Sequence, residues 1–278
     1  YVRPFLGPLY ARCASGPKFA MLRLPALIVL ILKFLAEELR EVRMMPCERR
    51  ACHLSEAFRV DAGADEGRVR IGGWRTLESD KAATAPWFSV ELTRANAPWA
   101  FMRGEPFRTI ASTELLAALV SLMVLMPETD ARSETAATLT LTAGTDNQGN
   151  SYLLDRMMTT KYPLVVVLME LAHQMRRRRL VLRARWLPRL QNEEADALTN
   201  SDFRHFDPKL RIPVDVDQLG FKVLPMLFEA GELYVRELEA KRNANKEKAE
   251  EDRKKGYARN EGKARKLGSE SLRERDPW

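Results

Sequence analysis

The chain has 278 residues, 45% of them hydrophobic and 30% charged, which excludes wholesale disorder and leaves room for one ordinary domain with appendages. Lys and Arg outnumber Asp and Glu by 45 to 38, a net charge of +7 that suits a polyanionic partner such as nucleic acid. Three cysteines, Cys13, Cys47 and Cys52, are too few for a disulfide framework, so a reducing intracellular location (cytoplasm or nucleus) is expected.

In chain order, residues 1–55 read as helical and irregular. The apolar run LPALIVLILKFLA is broken by Lys33 and passes into EELREVR, too short for a membrane span and suited to a helix buried on one side. CERRACH gathers Cys47, Cys52 and His53 without a fourth ligand, which favours buried thiols over a structural zinc. From Glu56, FRVDAGADEGRVRIGGW has strand-like stretches punctuated by Gly67, Gly72 and Gly73. With APWFSVELT and PWAFMR it predicts an antiparallel set of strands.

IASTELLAALVSLMVLM carries apolar residues at helical spacing, and ATLTLTAGTD is a β-branched strand. GNSYLLDRMMTT begins a short helix that must stop before Pro163. PLVVVLMELAHQMRRRR predicts a helix ending in four arginines, LVLRARWLP a strand closed by Pro188, and NEEADALTN a brief acidic helix. The order is three strands, helix, strand, two helices, strand, helix: a mixed α/β domain. Beyond Asp202, DPKLRIPVDVDQ reads as extended, and LGFKVLPMLFEAGELYVRELEAKR as a helix interrupted near Pro225. From about Lys241 the chain is Lys, Arg and Glu with few apolar residues, a solvated helix or disorder.

Four acids sit where a charge is expensive. Asp61 lies within the first strand, Glu114 in the first turn of the long helix, Asp146 at the end of its strand, and Asp196 on the last short helix. Each also has an ordinary reading. Asp61 suits a turn, Glu114 complements a helix N-terminus or completes a capping box, Asp146 suits an N-cap, and Asp196 an exposed acid.

Together the four resemble the ribonuclease H family. VDAG with a glycine-rich hairpin after it, STELLAAL, GTDNQG and RWLPRLQNEEADALT fall in the family's order, over roughly residues 56–203. The resemblance implies a ribonuclease H-like fold: a five-stranded mixed sheet flanked by helices, its first three strands antiparallel and its first and fourth side by side at the centre. It implies that Asp61, Glu114, Asp146 and Asp196 are catalytic ligands of two Mg²⁺ ions, with Mn²⁺ able to substitute, in hydrolysis of the RNA strand of an RNA–DNA hybrid. Asn147 and Gln148 are candidate contacts to the nucleic-acid backbone. The loop LPRLQ lacks the histidine that many cellular members carry there, and His205 lies beyond the acidic helix.

The ADALTN ending is similar to retrotransposon polyproteins of the DIRS or Gypsy kind. VRPFLGPLYARCAS and the apolar helix after it are similar to the segment that joins a reverse transcriptase to its ribonuclease H, so an upstream reverse transcriptase is the implied partner; the chain itself has no YxDD-type signature. Arg176, Arg177, Arg178 and Arg179 either complement their helix dipole or meet hybrid phosphates. Trp74, Trp87 and Trp99 read as core rather than stacking platforms. The chain then divides into a helical connector (1–55), the ribonuclease H-like domain (56–203), a partly helical extension (204–240) and a basic tail (241–278). Two readings compete: a catalytically inactive nucleic-acid-binding module of a decayed element, and another nuclease of the same fold. A transposase or integrase usually ends on a glutamate of a long final helix, which Asp196 does not match.

Overall fold

A computed structural model describes residues 1–15, 23–40, 52–65, 67–77, 81–101, 109–126 and 139–254. Two compact units divide the chain, Tyr1–Glu232 and Leu233–Trp278. CERRACH lies outside the described residues apart from the backbone of Cys52 and His53.

In the first unit, β1 (Cys52–Asp65), β2 (Arg68–Arg75) and β3 (Trp87–Leu92) form an antiparallel meander. α3 (Ile110–Val124) leads to β4 (Leu139–Thr145), which returns parallel to β1. α4 (Gln148–Arg156) and α5 (Leu164–Arg177) then make the crossover that a parallel neighbour requires, and β5 (Leu180–Trp186) pairs parallel with β4 before α6 (Glu193–Thr199). The sheet order is β3-β2-β1-β4-β5. This is the mixed five-stranded sheet flanked by helices that the ribonuclease H resemblance implies. PWAFMR adds no strand to it: Pro98 has no N–H for a ladder and opens the 3₁₀ turn Pro98–Ala100, which buries Trp99.

Gly72 and Gly73 are not turn punctuation. They sit inside β2 and let two helices close on the sheet. A Cβ on Gly72 would lie 2.6 Å from the Leu198 Cβ of α6, and one on Gly73 would lie 2.4 Å from the Ser121 Oγ of α3. Successive strand residues point to opposite faces, so α6 and α3 clamp β2 from two sides. Gly67, at φ +78°, is the true turn glycine of the hairpin.

α3 is buried from Ser112 to Leu122 because the sheet covers one side and α5 another. α5 is buried almost throughout, and α1 (Arg3–Ser15) and α2 (Ala26–Arg40) supply part of its cover. Phe5 of α1 stacks on Phe34 of α2 at 4.8 Å, Phe34 meets His173 of α5 edge-on, and Glu38 pairs with Arg176. The apolar run of α2 is thus a packing face, and no helix among the described residues is long and apolar enough to cross a membrane.

The segment after α6 is strapped to the domain rather than simply extended. Trp87 is 1% exposed, packs between Phe203 and Phe206, and donates its indole N–H to Asp207 O at 2.8 Å. 3₁₀ turns form at Pro208–Leu210 and Val216–Gln218. α7 (Leu224–Lys254) follows, and Pro225 stands in its first turn, where its missing N–H costs nothing, instead of interrupting it. α7 runs on to Lys254 through good helix formers; residues beyond 254 lie outside the described set.

A buried acid starts α7. Glu170, fully buried in α5, accepts the backbone N–H groups of Lys222, Val223 and Leu224 on one oxygen and the Gln174 amide on the other. Glu170→Ala is expected to leave those N–H groups without a partner and to cost about 3 kcal/mol of unfolding free energy. Denaturant titration measures the loss, and hydrogen exchange should show protection vanishing at residues 222–224. A loss under about 1 kcal/mol would remove Glu170 as the anchor.

Candidate active site

β1 and β4 bring two acids together by register alone. Arg59 pairs with Gly144 across the parallel strands, and Asp61 and Asp146 each lie two residues further on. Asp61 shares a sheet face with its cross-strand partner Gly72, the face that α6 covers, and is 6% exposed. Thr199 of α6 donates to Asp61 Oδ2 at 3.0 Å. Asp146 follows the last residue of β4 and is partly exposed.

Glu114 is the fifth residue of α3, not in its first turn, so neither capping nor the helix dipole explains it. It is 8% exposed, and Oε2 is buried without a hydrogen-bond partner. Asn147 donates to the Glu114 carboxylate while its own Oδ1 accepts the Asn150 N–H at 3.0 Å. Asn147 is therefore the N-cap of α4, which frees Asp146 from the capping role that its position allowed.

The electrostatics follow from burial plus like charge. Burial, then the Asp146 and Asp196 charges, raises the Asp61 pKa from 3.8 to about 6 against the opposing bond from Thr199. Burial, helped by the charges of Asp146 and Asp61, lifts Glu114 from 4.5 to about 8, with the Asn147 hydrogen bond working the other way. Burial also raises Asp146, and Asp196 adds to it, while Arg189 and a hydrogen bond with Asp61 pull it down. Asp196 itself is engaged: Arg189 Nη2 lies 2.6 Å from Oδ1 and Asn200 Nδ2 lies 2.9 Å from Oδ2.

All four acids thus share one electrostatic neighbourhood. Among the described residues, however, no three acid, histidine or cysteine side chains are grouped closely enough to hold one ion. The donor chemistry fits a hard divalent cation, being all carboxylate, and the partnerless Glu114 Oε2 is an atom such an ion would satisfy.

The arginine run is at the other end of the sheet. Arg179 precedes the first residue of β5, whereas Asp146 follows the last residue of β4, and the two strands pair from Leu139–Leu180 to Thr145–Trp186. At about 3.3 Å per residue that is roughly 20 Å. Arg178 is buried, and its guanidinium caps the C-terminal end of α3 through Leu122 O, Met123 O and Met126 O. Arg176 pairs with Glu38, Arg177 is exposed, and Arg179 takes the turn at φ +53°. Gln148, the first residue of α4, is exposed beside Asp146. Trp74, Trp87 and Trp99 are all core, at 2% exposure or less, and His205 is exposed beyond α6.

The basic groups at the acid end are ones that sequence reading passed over. Arg59 donates to Gln191 O at 2.8 Å and to Glu56, which also pairs with Arg185. Asn192, fully buried, donates to Val60 O at 3.0 Å and ties the loop before α6 to β1. Trp186, 47% exposed, donates its indole N–H to Asp146 O at 3.0 Å. The available signal was the alternation of LVLRARW, which puts Arg183 and Arg185 on one face of β5.

No protein-family model matches this chain, and no curated protein is similar to it. Among solved structures, the crystal structure of RNase H1 from the halophilic archaeon Halobacterium salinarum NRC-1 is similar, with a TM-score of 0.34 and 16% identity, over 55% of this chain and 98% of that one. That likeness assigns no role to any residue here.

Because the folded-state pKa values of Asp61 and Glu114 are raised, the native protein binds more protons than the unfolded chain between about pH 4 and pH 8. Stability therefore falls as pH rises through that window. Glu114→Gln removes the larger share. It is expected to be more stable than the parent at pH 8 in chelator, by on the order of 1–3 kcal/mol, with the gain vanishing near pH 4. Denaturant unfolding across pH measures it, and a variant no more stable at pH 8 than the parent would contradict the buried charge.

Proposed function

We propose that this chain is a divalent-metal-dependent nuclease of the ribonuclease H kind, acting on the RNA strand of RNA–DNA hybrids. The observation that carries the reading is the meeting of Asp61 and Asp146, each two residues past the last partners of the two central strands, with buried Glu114 beside them. Carboxylates gathered in this way repel one another unless a cation joins them. Asp61, Asp146, Glu114 and, once free of Arg189, Asp196 would hold that cation. When bound, two such ions supply an activated water and stabilise the leaving oxygen.

The chain's own residues do the positioning. Thr199 orients Asp61, Asn147 orients Glu114, and Trp186 fixes the backbone of Asp146. Arg59, Arg185 and Arg189 lie at the acid end, where they offset the repulsion between the acids and an incoming phosphate backbone. The strings RWLPRLQNEEADALT and VRPFLGPLYARCAS support a place in retroelement reverse transcription, beside a reverse transcriptase.

One observation favours the inactive binding module instead: Arg189 occupies Asp196, and no three acids are grouped to hold an ion among the described residues. Activity separates the two. A labelled RNA–DNA hybrid should be cut in Mg²⁺ or Mn²⁺ and not in chelator. Asp61→Asn and Asp146→Asn should each lower the rate by more than about 100-fold, and Thr199→Ala, which removes only the group behind Asp61, by about 10-fold. Tight hybrid binding without cleavage in either metal would leave the binding module.

A further inference from the structure

The loop before α6 holds a cation that the chemistry above leaves with only a steering role. Arg189 opens the 3₁₀ turn Arg189–Gln191, and its Nη2 lies 2.6 Å from Asp196 Oδ1. The turn beneath it is fixed: Arg59 bonds Gln191 O, and the buried Asn192 bonds Val60 O. The side chain lies open to solvent, with 75% of it exposed against 27% for Asp196. Its charge also falls on Asp61 and Asp146, so one guanidinium serves three acids of the cluster. Arg59 and Arg185 differ, for both are committed to Glu56, outside the four acids.

A guanidinium that holds a carboxylate oxygen by a charge-assisted hydrogen bond occupies one of its lone pairs, sets its orientation and repels an incoming cation, so it competes with a metal ion for that oxygen. An exposed pair of this kind is also weak, so a stronger ligand for either partner breaks it. Guanidinium matches the geometry of a phosphate oxygen pair, and the exposed face of Arg189 is where a nucleic-acid backbone would approach the acids.

We propose that Arg189 is an internal counter-cation of the acid cluster: a latch on Asp196 that a divalent cation must break and that a nucleic-acid phosphate releases by taking the guanidinium. The latch rests on the metal-dependent nuclease reading. By linkage, nucleic acid and cation each tighten the binding of the other, and Arg189 carries part of that coupling.

The test is calorimetric titration of Mn²⁺ into the full chain, alone and with a hybrid whose RNA strand is 2′-O-methylated. Without nucleic acid, Arg189→Ala should bind Mn²⁺ about two- to five-fold more tightly than the parent, the range that loss of an exposed pair allows. The hybrid should tighten Mn²⁺ binding more in the parent than in Arg189→Ala. Arg185→Ala removes the same charge from the same end of the sheet but leaves Asp196 latched, and should change Mn²⁺ affinity less. Binding that Asp61→Asn weakens but Arg189→Ala leaves unchanged overturns the latch alone. Equal gains from Arg185→Ala and Arg189→Ala replace it with a general field and overturn it too. Absence of Mn²⁺ binding in parent and variant alike overturns the latch together with the nuclease reading.

Discussion

The parallel pairing of β1 with β4 is the constraint from which the rest of the site follows. Parallel partners advance in step, so two aspartates that each lie two residues past the last β1–β4 partners, Arg59 and Gly144, are delivered to neighbouring positions. Burial penalises each charge first, and repulsion adds to it, on the order of 4 kcal/mol for two unit charges about 4 Å apart at a protein surface. The raised pKa values of Asp61 and Glu114 are the visible result. Around them, Thr199, Asn147 and Arg189 each contribute one donor to one acid, which lowers the strain without cancelling it. Glu114 Oε2 is still without a partner.

The same fold shows how this protein treats a buried charge that it means to satisfy. Glu170 has four donors, three of them backbone N–H groups at the start of α7. Arg178 spreads its guanidinium over three carbonyls at the end of α3. Both are single side chains that close a helix terminus, where backbone groups have no intrahelical partner. Against that standard the acid cluster is under-supplied with donors, and the shortage is local to the place where the pairing of β1 with β4 stops. Such a deficit costs stability and is kept where binding or chemistry uses it.

Much of this was legible in the sequence. Periodicity distinguishes ATLTLTAGT from ELLAALVSLM, and the alternation of strands and helices then leaves few topologies, so element order and sheet class follow from pattern. The four acids stand out as charges at element ends or on apolar faces, and their order along the chain carries the resemblance. What could not be read was distance across the fold. The pair Gly72–Gly73 looks like a turn to a local reading; only the arrival of Leu198 and Ser121 from residues more than 45 positions away explains it. A glutamate in LVVVLMELAHQM gives no sign that residues 222–224 will need its oxygens. The arginine run misleads for a related reason. It precedes β5 by one residue, and a parallel strand has its start and its end on opposite edges of the sheet, so closeness in sequence to a site element places the run far from the site.

On the nuclease reading the site meets two opposed demands, since acids that would gather cations also repel the polyanion to be cut. The net charge of +7 does not resolve this by itself, because screening reduces distant charges to little within about 10 Å at ordinary ionic strength. Cations have to stand at the acid edge, and those that do are mostly tied to acids of their own: Arg59 and Arg185 to Glu56, Arg189 to Asp196. Pairing keeps each guanidinium oriented while leaving donors for a phosphate, and the cost of parting an exposed pair is small. The arginine at 189 differs from the others only in its partner, but that partner belongs to the cluster. Under the proposed latch, charge placed there would be taken from the site and returned to it when phosphate arrives, so that attraction of a polyanion and assembly of the acid site would become one event.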